Sequence, residues 1–136
     1  MNYEFSVEGE IFGKERPRVN MYTGNVYTPN KTKDYERYIC ECFCLKYPQY
    51  IPIESRTSIE IKAYFAFPKA MNKKDRELAK LNELSPTKKP DIDNIAKVVL
   101  DALNKVAFKD DNIVSRINVE KIYSETPKID IKISEY

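Results

Sequence analysis

The chain has 136 residues, 42% apolar and 32% charged, with a formal net charge of +2 and no histidine. That length fits one domain, residues 1–136, burying roughly two-thirds of its unfolded surface. No apolar run approaches the roughly 20 residues of a membrane span, and the N-terminus lacks the basic-then-apolar order of a signal peptide, so a cytoplasmic protein is expected. Cys40, Cys42 and Cys44 lie too close together for a disulfide framework. Without histidine or a second cysteine cluster they lack a full zinc ligand set, and they read as small core or half-buried residues.

A charge of +2 names no partner, but its distribution is uneven. Residues 12–33 carry Lys14, Arg16, Arg18, Lys31 and Lys33 against Glu15 alone, a local net of +4. Residues 67–89 carry seven cations (Lys69, Lys73, Lys74, Arg76, Lys80, Lys88, Lys89) against Asp75, Glu77 and Glu83, again +4. Two basic stretches suit a polyanion, although solvated charged faces produce the same pattern.

In chain order, Tyr3, Phe5 and Val7 alternate with Glu4, Ser6 and Glu8, which predicts a half-buried strand. Gly13 to Arg18 contains Arg16-Pro17-Arg18 and is expected to be extended. Thr23-Gly24-Asn25 signals a turn before a short Val26-Tyr27-Thr28 strand. From Asn30 or Thr32 to about Lys46, apolar residues recur at helical steps through Tyr35, Ile39 and Cys42 or Phe43, until Pro48 stops the run. Ser58 to Phe67 alternates as a strand, residues 72–84 read as a charged helix, and Ser85 to Pro90 as a loop. A second clear helix is expected near Asn94. Val114–Tyr123 and Lys128–Ser134 then alternate as strands joined by a turn at Glu125-Thr126-Pro127. The order β, β, α, β, α, α, β, β predicts an α+β fold, a mixed β-sheet with helices packed on one face.

The chemistry concentrates between Lys89 and Asp111. Ile95, Val98, Val99, Ala102, Leu103 and Val106 follow i, i+3, i+4, i+7, i+8, i+11 and form a core stripe. Asn94, Lys97, Asp101, Asn104 and Lys105 fall on the opposite side, with Asp93, Lys97 and Asp101 four apart along one edge. Asp91 and Asp93 stand at the positive end of that helix. One aspartate there is ordinary capping, contributing about 1 kcal/mol; a second, and the Asp110-Asp111 pair after the helix, are not required for it. An EF-hand is excluded, because Ile95, Ala96 and Ala102 stand where its loop needs acid, glycine and glutamate. Gathered carboxylates repel unless a cation lies between them. A hard divalent cation accepts such oxygens while leaving positions for phosphate and water.

The motif Asp-x-Asp-Asn-x-x-Lys-x-x-x-Asp-Ala-Leu-Asn (91–104) followed by Asp110-Asp111, with Arg16-Pro17-Arg18 and Tyr27-Thr28-Pro29 upstream, resembles the RusA family of Holliday junction resolvases. The likeness runs from Gly13 to about Val114. It implies a homodimeric endodeoxyribonuclease that uses Mg²⁺, with Mn²⁺ a plausible substitute, on four-way junction DNA in recombination and repair, in bacteria or their phages. It also implies no membrane partner and no organic cofactor. By motif match the metal-binding carboxylates are Asp91, Asp93 and Asp111, with Asp110 beside them and Asp101 at a recurring position. Lys97 is the lysine of the catalytic site. One departure is that no glycine follows the helix between Leu103 and Asp110.

With no histidine to activate water, the burden would fall on a carboxylate-held cation, with Lys97 touching the scissile phosphate or orienting the water. Spacing alone also allows Lys97 to be an i, i+4 partner of Asp93 and Asp101. Lys14, Arg16 and Arg18 are the first candidates for DNA phosphate contacts, with Lys31, Lys33, Lys73, Lys74, Arg76 and Lys89 as further ones. Two rival readings remain. A nuclease of the Pro-Asp…(Asp/Glu)-x-Lys type would pair Pro90-Asp91 with Asp130-Ile131-Lys132, although Glu60-Ile61-Lys62 makes the same triplet. A DNA-binding module without catalysis is the other.

Overall fold

The computed structural model describes residues 1–27 and 29–136. Thr28, the last residue of the expected Val26–Thr28 strand, lies outside the described residues. Strand β1 (Asn2–Glu8) buries Tyr3, Phe5 and Val7 and exposes the residues between them, as alternation requires. An irregular segment leads from it to β2 (Arg18–Val19), which pairs antiparallel with β3 (Val26–Tyr27). The two-residue β2 has no alternation to betray it in sequence. Their turn is closed by the Asn20 side chain, which accepts from the Tyr22 and Thr23 N–H groups, and by Gly24 at φ +73.

Helix α1 (Asn30–Lys46) buries Thr32, Tyr35, Ile39 and Phe43, so Phe43 rather than Cys42 takes the core position. The three cysteines are half-buried and free, as expected. Strand β4 (Thr57–Ala66) follows, then α2 (Lys73–Lys80), shorter than the 72–84 expected. Asn72 caps its start by accepting from the Asp75 N–H at 2.8 Å, and Asn82, at φ +58, turns the chain out of the helix before Glu83. Helix α3 (Ile92–Leu103) begins two residues before Asn94, which places Asp93 inside its first turn. Strands β5 (Val114–Ser124) and β6 (Lys128–Glu135) complete the chain.

The main sheet has the order β1-β6-β4-β5, with β4 and β5 parallel and the other pairs antiparallel. It is the mixed sheet of an α+β fold. The turn at 125–127 carries the chain past β4 to β6, so β5 and β6 are not neighbours. One face of the sheet presents Val7, Ile59, Ile61, Ala63, Ile129, Ile131 and Ile133 to the helices. They meet Ile39 and Phe43 of α1 and Ile95, Val98, Val99 and Leu103 of α3 there, each such side chain contributing roughly 1.5–3 kcal/mol by burial. The other face carries Glu4, Glu60, Lys62 and Lys132 in water. Strand β5 is an edge strand with Ile117 39% exposed, which its apolar alternation does not reveal. Among the described residues no helix is long and apolar enough to cross a membrane.

Candidate active site

The helix-side face of the sheet fixes α3, and α3 fixes the acidic residues. Its apolar stripe is fully enclosed, so the opposite edge must face outward along a cleft of about 1210 Å³. Asp91, Asp93, Lys97, Asp101 and Asp111 all line that cleft. The segment Glu10–Arg18, with Lys31, Thr32 and Lys89, lines it as well.

Asp91 occupies the cap position of α3 with an extended backbone, yet its carboxylate accepts no capping hydrogen bond. The simplest non-catalytic use of this aspartate is therefore not made. Lys97 is exposed in the cleft and forms no ion pair with Asp93 or Asp101 among the described residues. Asp101 instead pairs with Lys14 at 3.1 Å, and Lys14 also holds Glu36 of α1 at 2.7 Å. Burial works to lower the Lys14 pKa, but hydrogen bonds and charge from Glu36 and Asp101 outweigh it and raise the value. Lys14 thus ties α1 to α3, which differs from the free phosphate contact expected of it. Glu36 carries no sequence signal for this, since its partner is 22 residues away.

Gly13 explains how the basic segment reaches the acidic one. A Cβ there would stand 2.5 Å from the Pro90 Cβ and 2.9 Å from the Asn94 Cβ. Only a residue without a side chain lets this segment lie this close across the α3 N-terminus, where the Lys14 N–H donates to the Asn94 carbonyl at 3.0 Å. Arg16 and Arg18 follow at the cleft, Arg18 pairing with Glu15 at 3.3 Å. Lys31 lies 4.5 Å over the Phe12 ring. Lys33, Lys73, Lys74 and Arg76 do not line the cleft; Arg76 stacks over Phe67 at 5.2 Å.

After α3, Lys105 adopts φ +63 and makes the left-handed turn where a glycine was expected. Phe108 is fully buried, and Ile53 exchanges backbone hydrogen bonds with Ala107 and Lys109. Asn104 accepts from the Asp111 N–H at 3.0 Å and anchors the acidic pair to the end of α3. Asp110 accepts from the Asn112 N–H at 3.2 Å and caps the 3-10 turn Asp111–Ile113; it does not line the cleft. That backbone bond, chiefly, pulls the Asp110 pKa down. The Asp111 carboxyl is pushed up, first by its hydrogen bond with Asp110 and then by burial and the charges of Asp110 and Asp101.

Asp91 and Asp93 stand at one end of α3 and Asp111 at the other, and a helix of 12 residues spans about 18 Å. The three aspartates share a cleft but do not converge on one point within a chain. No group of three acidic or cysteine side chains is placed to hold an ion among the described residues. Mg²⁺ takes only one or two protein carboxylates with water and phosphate oxygens, so the Asp91–Asp93 pair fits such a cation.

Asp130 lies on the opposite face of the sheet. It accepts from Ser6 at 2.6 Å, pairs with Lys128 at 3.6 Å, and lines a separate cavity of about 230 Å³ with Glu4, Glu60, Lys62 and Lys132. It shares no cavity with Asp91, which removes the geometry that the Asp130-Ile131-Lys132 reading needs.

The family model described as Endodeoxyribonuclease RusA matches residues 8–134 of this chain. The chain belongs to the RusA family. The uncharacterized protein YqaN of Bacillus subtilis (strain 168) is 38% identical over 136 residues, covering 97% of this chain and 95% of that protein. The RusA match spans both sides of the cleft, from the basic segment before α1 to the last strand, and the family is one of DNA endonucleases acting on branched junctions.

Proposed function

We propose that this RusA-family chain, as one domain, is a divalent-metal-dependent endodeoxyribonuclease that resolves four-way DNA junctions as a homodimer. The observation that carries this reading is the Asp91 carboxylate, set at the positive end of α3, free of capping duty, in a cleft walled by arginine and lysine. Asp91 and Asp93 hold the cation, Mg²⁺ or Mn²⁺. When bound, it lowers the pKa of a water and neutralises charge on the phosphoryl oxygens. Lys97, unpaired and one turn beyond Asp93, contacts the scissile phosphate. Arg16, Arg18, Lys31 and Lys89 position the DNA backbone along the cleft. Nicking of a labelled synthetic four-way junction, with Mg²⁺ and with chelator, against linear duplex of the same sequence tests this. The reading expects metal-dependent cuts on the junction, and it fails if duplex and junction are cut alike or neither is cut.

Two opposed cuts on a nearly two-fold junction favour a two-fold enzyme. The outer edge of β5 supports one. Antiparallel pairing of two β5 strands about Asn118 sets Arg116 opposite Glu120 of the partner subunit on one face, and Ile117 opposite Val119 of the partner subunit on the other. The Lys88 carbonyl, three residues before Asp91, accepts from Lys121 toward the end of β5, whereas Asp111 immediately precedes its start. The same pairing therefore carries Asp111 of the partner subunit toward Asp91 and Asp93, supplying the third carboxylate that one chain keeps at a distance. Glu120→Arg is expected to weaken the dimer, and adding Arg116→Glu to restore it; sedimentation showing no change in either variant contradicts the register. Arg16→Ala is expected to weaken binding and to flatten the log–log salt dependence by about 0.9. An unchanged slope would make the Arg16 segment structural.

A further inference from the structure

Lys121, half-buried, stands on the helix-facing side of β5, opposite Ala63 and between Val119 and Tyr123. A cation in such a place needs compensation. It finds some in the Phe65 ring, 4.9 Å from the ammonium, and in the Lys88 carbonyl, which accepts from it at 2.6 Å. Lys88 belongs to the stretch that delivers Asp91 to the head of α3; burial pulls the Lys121 pKa down, and the charge of Asp91 works against that. Lys121 does not line the cleft. Nothing in the spacing of β5 marks this lysine, because its partner is 33 residues earlier in the chain.

We infer that Lys121 is a positioning residue for the metal site: its ammonium fastens the Lys88 carbonyl and holds Asp91 in place from behind the cleft wall. This rests on the metal-site reading above. An ammonium offers three donors and only one is engaged by Lys88, and the charges of Lys121 and Asp91 act on each other. Partners behind a metal ligand commonly set affinity by about 10–100-fold.

The test is Mn²⁺ binding to the intact protein, followed by the spin-resonance signal of free ion, without DNA. Lys121→Met is expected to weaken Mn²⁺ binding about tenfold while metal-free junction affinity and melting temperature stay near the parent's; Lys121→Arg is expected to recover most of the loss. Lys121→Gln, which keeps a donor without the charge, serves if the methionine variant does not fold, and is expected to fall between them. Mn²⁺ affinity equal to the parent's in Lys121→Met and Lys121→Gln overturns the inference alone. A loss that only tracks the fraction of unfolded protein overturns it as well. A parent protein that binds no Mn²⁺ overturns the inference together with the metal-site reading.

Discussion

Asp91→Asn is expected to lower metal-dependent junction cleavage about a thousandfold, equivalent to about 4 kcal/mol of transition-state stabilisation, with junction binding intact. The shape of the side chain is kept and its charge is lost. Because Asp91 makes no capping bond, the substitution removes no hydrogen bond that supports α3. The fold should therefore not respond, and removing a negative charge that faces phosphate does not weaken DNA binding. Rates come from single-turnover cleavage of a labelled junction and affinity from a gel-shift titration in chelator. Cleavage within a few-fold of the parent would remove Asp91 from the site.

The second large effect separates two aspartates that sequence leaves in competition. Asp111→Asn is expected to be as inactive as Asp91→Asn, while Asp130→Asn is expected to cleave like the parent. Asp111 opens on the basic cleft, whereas Asp130 is spent on Ser6 and Lys128 across the sheet, where its loss costs at most about 1 kcal/mol of stability. Melting temperatures of both variants show whether either loss comes from unfolding. An inactive, folded Asp130→Asn beside an active Asp111→Asn would reverse the assignment.

The sheet strands and α3 were legible because they rest on local periodicity. Alternation at Tyr3-Phe5-Val7 and the stripe Ile95-Val98-Val99-Ala102-Leu103 each declare a buried face without reference to distant residues. The head of α3 was legible for a different reason, since two aspartates two apart at a helix start exceed what capping needs. What failed depends on contacts between remote segments. Lys14 looks like a free cation until Glu36 and Asp101 are seen to hold it. Asn104 looks like an exposed helix residue until its side-chain Oδ1 is found on the Asp111 N–H. The edge position of β5 is a property of sheet order, and its apolar alternation would suit a central strand equally well. The spacing of Asp111 from Asp91 and Asp93 within one chain was not legible either, although all three line one cleft. The motif gives their order along the chain, but a rigid helix of 12 residues keeps them apart.

A mixture of Asp91→Asn and Asp111→Asn protomers, each inactive alone, decides most directly whether a cation site is shared between two chains. If the site joins Asp91 and Asp93 of one protomer to Asp111 of its partner, a mixed dimer holds one site with both substitutions and one wholly intact. Such a mixture, refolded together, should regain nicking of a single junction strand, whereas Asp91→Asn mixed with Asp93→Asn should not. Mixed dimers that form but leave the junction uncut would contradict the shared site.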